Sequence, residues 1–89
     1  MTKREPKPEH NRRREENVRS LMLINDDINS FDHVISSLVE VCGHDKIQAE
    51  QCAVLTHIKG GCIIKVSDAV TLEKMSLRLR ELRLDTVVI

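Results

Sequence analysis

Six apolar residues, Phe31, Val34, Ile35, Leu38, Val39 and Cys42, recur at alternating intervals of three and one. That period places them on one stripe of an α-helix, and a helix with a single apolar stripe must lay it against a second layer. Asn29 or Ser30 can cap the start of this helix and Gly43 its end. Upstream, Val18 to Ile24 is short and apolar enough for a buried strand, and Asn25, Asp26 and Asp27 stop it, because Asn and Asp favour turns. Downstream, Asp45 and Gln48 form a capping-box variant that starts a second helix, which ends at Gly60-Gly61. CIIKV at 62–66 reads as a second strand. Ser67 or Asp68 caps a third helix striped by Leu72, Met75, Leu79 and Leu82, and TVVI at 86–89 is a third strand. The order βααβαβ predicts an α+β fold, a small two-layer sandwich of a three-stranded antiparallel sheet with three helices on one face. No internal repeat is evident.

A chain of 89 residues, 40% apolar, makes one domain that buries only roughly 60 to 65% of its unfolded surface. Phe31 is its one aromatic residue, with no Trp or Tyr, so the core must be aliphatic and the base-stacking platforms of single-stranded nucleic-acid binders are missing. The zero net charge hides an asymmetry. Residues 1–19 carry seven basic against four acidic side chains, and the rest carries seven against ten. Residues 1–17 have no apolar residue after Met1 and hold two prolines, so they are expected to form a flexible charged arm ahead of a domain at 18–89. Arg12, Arg13 and Arg14 are followed at once by Glu15 and Glu16, which argues against nucleic acid as the arm's partner. Cys42, Cys52 and Cys62 are odd in number and lack a disulfide-framework spacing, which fits reduced thiols and a cytoplasmic address. No run approaches the roughly 20 apolar residues of a membrane span, and no signal-peptide core follows the basic start.

Cys42, His44, Cys52, His57 and Cys62 include no CxxC or HxxxH pair, so no metal or other cofactor is expected. Nothing resembles a nucleophile elbow or an oxyanion loop, which argues against a Cys-His hydrolase. Taken singly, His57 complements the dipole at the end of helix two, the Asn25-Asp26-Asp27 stretch is a turn, and Gly60-Gly61 is a helix stop. Taken together they differ. The acidic turn, Phe31 and Val34 on the first turn of helix one, and Ala53, Thr56 and His57 near the end of helix two can face one shallow cavity. Such a cavity has an apolar floor and an anionic, hydrogen-bonding rim, and its complement is a cation attached to an apolar group.

Over residues 18–89 the sequence resembles the ClpS adaptors of the Clp protease. The resemblance rests on LMLINDDINSFDHVISSLVEV, a strand followed by NDD and an apolar helix, and on AVLTHIKGG, a helix ending in a histidine before glycine. It implies a non-enzymatic adaptor that binds proteins with bulky apolar destabilising N-terminal residues (N-degrons) and delivers them to a Clp unfoldase such as ClpA or ClpC, the adaptor itself a monomer. By the same resemblance, Asn25, Asp26 and His57 hold the substrate's α-amino group and Asp27 belongs to the same turn. Asn29, Phe31, Val34, Ala53 and Thr56 match the wall positions of the side-chain pocket. Family members usually carry Thr-Pro where Asn29-Ser30 stand, Met where Phe31 stands, and Met and Val at Ala53 and Thr56, so side-chain preference is expected to differ here. The unfoldase-docking positions appear as Val70 and Met75, with Glu73 and Lys74 nearby as substitutes.

Elementary chemistry agrees. A free α-amine has a pKa of about 7.7 to 8.0, so at neutral pH it is mostly an ammonium with three donors. Charge-assisted bonds contribute roughly 1.5 to 3 kcal/mol each, and burial of a large apolar side chain adds about as much. The alternative from another class is a structural or assembly module with the similar α+β sandwich of the ribosomal stalk protein, since fold alone does not fix function. In that case NDD is only a turn.

Overall fold

A computed structural model of the chain describes residues 17–89. The charged arm read from the sequence, apart from Asn17, lies outside the described residues. The elements run β1 (Val18–Ile24), α1 (Phe31–Cys42), α2 (Lys46–Lys59), β2 (Gly61–Asp68), α3 (Ala69–Glu81) and β3 (Asp85–Val88). The order is the βααβαβ read from the sequence, and the sheet is antiparallel with β1 at its centre, β2-β1-β3.

The helix ends follow local chemistry. Ser30 Oγ accepts from the His33 amide, Asp45 from that of Gln48 and Asp68 from that of Thr71, so each helix has one otherwise unpaired donor satisfied by a side chain. Gly43 and Gly60 close α1 and α2 at φ 73° and 91°, left-handed values that glycine adopts without a Cβ clash. Ser67, the other candidate cap for α3, sits within β2 instead. That strand is longer than the expected 62–66, because pairing of Gly61 with Ile24 and Asp68 with Val18 carries the ladder over residues of poor strand propensity. β3 starts one residue early, at Asp85, and Ile89 beyond it still exchanges backbone bonds with Ser20 at 2.9 and 2.8 Å.

Leu21 and Leu23 alternate inward from β1 and are fully buried with Leu38 of α1, Leu72 and Leu79 of α3, and Leu84 before β3. Each such burial contributes about 1.5 to 3 kcal/mol. Ala49 and Cys52 of α2 complete the core with Val41, Cys42 and Ile64. No described helix is long and apolar enough to cross a membrane. Phe31 is not in this core: it is 47% exposed, although it is the residue that could bury the most apolar area.

Candidate functional site

Three chain segments meet beside Phe31. β1 leaves the sheet at Ile24, and the next amide, of Asn25, donates to the Gly60 carbonyl at 3.0 Å. That one bond ties the end of β1 to the C-cap of α2. The chain then turns back on the Asp26 carboxylate. Its Oδ1 accepts the Ile28 and Asn29 amides at 2.8 and 2.9 Å, and its Oδ2 accepts Asn29 Nδ2 at 2.9 Å. These bonds favour the charged form and hold the Asp26 carboxyl below its ordinary value. The Asn29 amide contributes most, partial burial opposes it, and the Asn29 side chain, the Ile28 amide and His33 add to the lowering.

Helix α2 supplies Ala53, Thr56 and His57 at i, i+3 and i+4, one face of its last turns. The His57 and Phe31 rings meet edge to face, 5.5 Å between centroids at 86°. The Thr56 hydroxyl donates to the Cys52 carbonyl of its own helix at 2.7 Å, which spends its hydrogen there.

These groups enclose a cavity of about 40 Å³. Its lining includes eight residues named from the sequence: Asn25, Asp26, Asn29, Phe31, Val34, Ala53, Thr56 and His57. Asp27 is exposed in the turn and is not part of the lining. Leu23, Ile24 and Leu84 also line the cavity and were not singled out from the sequence. Leu23 had a signal, since it is the last inward position of an alternating strand. Leu84 had none, because only the tertiary fold brings it beneath residues more than fifty positions earlier. Leu23, Ala53, Thr56 and Leu84 are buried, whereas Asn25, Phe31 and His57 are exposed. The cavity thus has a mainly apolar floor and a rim of an amide, a carboxylate and an imidazole. No Lys or Arg lines it, so its chemical complement is a hydrogen-bond-donating cation on an apolar body.

The cysteines lie elsewhere. Cys42 and Cys52 are buried and Cys62 half-buried. Burial, reinforced by Cys62, pushes the Cys52 thiol up to about 12, which keeps it protonated and poorly nucleophilic. Among the described residues no group of three or more His, Cys, Asp or Glu is placed to hold a metal ion.

Residues 14–85 match the family model described as the ATP-dependent Clp protease adaptor protein ClpS. A search of curated proteins finds no match. Among solved structures, that of Agrobacterium tumefaciens ClpS2 bound to L-phenylalaninamide is similar, with a TM-score of 0.79 over 82% of this chain and 95% of that one, at 18% identity. At that identity the likeness concerns the fold. With about four-fifths of its length under one family model, the chain belongs to the ClpS family of Clp protease adaptors.

Proposed function

We propose that this protein recognises the first residue of substrate proteins, holding a free α-amine at Asn25, Asp26 and His57 and a bulky apolar side chain in the cavity behind them. The observation that carries this reading is the pairing of a carboxylate, an amide and an imidazole on the rim with an apolar floor. An α-ammonium offers three donors, and Asp26, Asn25 and, in its neutral form, His57 each offer an acceptor. An internal Leu or Phe lacks the ammonium, and a terminal Gly or Ala lacks the side chain, so neither satisfies both halves. L-Phenylalaninamide, the molecule bound by the Agrobacterium protein, unites a free α-amine with a benzyl group and so supports the same pairing here.

The protein acts as an adaptor without catalysis, in the cytoplasm, and hands its cargo to a Clp unfoldase of the ClpA or ClpC type. Delivery works by tethering: cargo on one face and unfoldase on another raise the local concentration of substrate at the pore. Family membership supports the Clp partner. The test is a fluorescence-anisotropy titration with one Phe-starting peptide, free and N-acetylated. Acetylation is expected to abolish binding, and Asp26→Ala to weaken it about tenfold or more. Equal binding of the two peptides would favour an assembly module that uses NDD only as a turn.

A further inference from the structure

We propose that Asn29 is the positioning residue of the amine site: it joins the Asp26 carboxylate to the turn after α3 and leaves the carboxylate one open direction for the ammonium. The inference rests on the amine-clamp reading above. A carboxylate has about four acceptor positions. On Asp26 two are filled at Oδ1 by the Ile28 and Asn29 amides and one at Oδ2 by Asn29 Nδ2. What remains is the second lone pair of Oδ2, whose direction the Asn29 side chain sets.

Asn29 can set it because its own amide is pinned. Of the two Nδ2 hydrogens, one goes to Asp26 and the other to the Arg83 carbonyl at 2.8 Å, 54 residues away. A flipped amide would turn its oxygen toward a carboxylate and a carbonyl, both acceptors, so only one orientation is compatible with both neighbours. The far anchor is itself held. Arg83 has φ 70°, the one non-glycine left-handed residue among those described, and the preceding carbonyl, of Leu82, accepts from His33 Nε2 at 2.7 Å. Two side chains from residues 29–33 therefore grip two successive carbonyls of one turn. The next residue, Leu84, is 1% exposed and lines the cavity. The same clamp thus aims the carboxylate and seats part of the apolar floor.

The experiment uses the full chain as wild type, Asn29→Ala and Asn29→Asp. Free and acetylated Phe-starting peptides are titrated, and the Asp26 carboxyl carbon is followed by NMR without peptide. Direct observation of that carbon is needed because His33 on α1, His57 on α2, Asp27 in the turn and Arg83 after α3 also titrate or carry charge nearby. Thermal melting checks that each variant is folded. In Asn29→Ala the Asp26 midpoint is expected to rise toward its ordinary value, and affinity for the free peptide to fall about tenfold. In Asn29→Asp the midpoint is expected to rise further, since two carboxylates then face each other. A residue that merely fills the wall would leave the isosteric Asn29→Asp like wild type. A fall in affinity without a rise in the midpoint, a rise without a fall, or neither, overturns the proposal. If wild type itself does not distinguish the two peptides, the amine clamp fails first, and that result is separable from any behaviour of Asn29.

Discussion

A carboxylate that already accepts three hydrogen bonds resists protonation, and this makes Asp26 the most informative single group in the molecule. Its folded pKa lies below the ordinary 3.8. The stability it contributes is therefore complete above about pH 4 and is lost as pH falls from there through the lowered folded value. Asp26→Asn removes this dependence, so denaturant unfolding of wild type and variant should converge only below that window. Phe31 makes the second case at this scale. The cavity of about 40 Å³ is well short of the roughly 150 Å³ that accepts a benzene ring. A bulky first side chain is therefore expected to displace the half-exposed Phe31 ring from its edge-to-face contact with His57. Phe31→Ala is expected to lose wall contacts to Leu-starting peptides while relieving the constraint on Trp-starting ones. The Trp-to-Leu affinity ratio in a first-residue peptide panel should rise.

At the scale of elements, helix ends and site geometry share the same atoms. Gly60 closes α2 in the left-handed region at φ 91°, and its carbonyl holds the Asn25 amide. Gly60→Ala adds a Cβ that meets no neighbour within 4 Å, so its cost is one of backbone conformation, about 1 to 2 kcal/mol. Denaturant unfolding should show that loss. Faster exchange of the Asn25 amide should accompany it, because the strain falls on the carbonyl that amide bonds. Elements of this kind were legible in the sequence. Stripes at helical spacing, Ser30 or Asp68 before them and Gly43 or Gly60 after them carry their physics in residue type. The extent of β2 was not, because Gly61 and Asp68 are strand residues only by virtue of their partners on β1. Nor were the bonds from Asn29 to Arg83 and from His33 to Leu82, whose acceptors are main-chain carbonyls and leave no mark on residue identity. In the site, seven lining positions were legible because a strand end, a helix start and a helix end each displayed them in a fixed local frame, and the eighth, Asn29, followed only from the family resemblance.

Across the whole molecule, a core made of leucines and small residues leaves the one aromatic ring for the surface cavity and places two of the three cysteines inside. Cys52, raised to about 12, and buried Cys42, raised by burial, should resist iodoacetamide at pH 8, while half-buried Cys62 reacts first. Mass spectrometry of the native protein should show one label, and denaturant should expose the other two sites. The bond from Asn29 to Arg83 carries a further consequence, for the order of events during synthesis. A growing chain that has emerged through α2 already displays Asn25, Asp26 and His57, but the Asn29 side chain that holds the carboxylate lacks its Arg83 anchor, and Leu84 is absent. Contacts between such distant positions form only once the intervening chain is ordered. On the amine-clamp reading, the site is therefore expected to reach full grip only once α3 has docked and β3 has joined the sheet, so that the capacity to bind an N-terminus would report that the protein's own folding is complete.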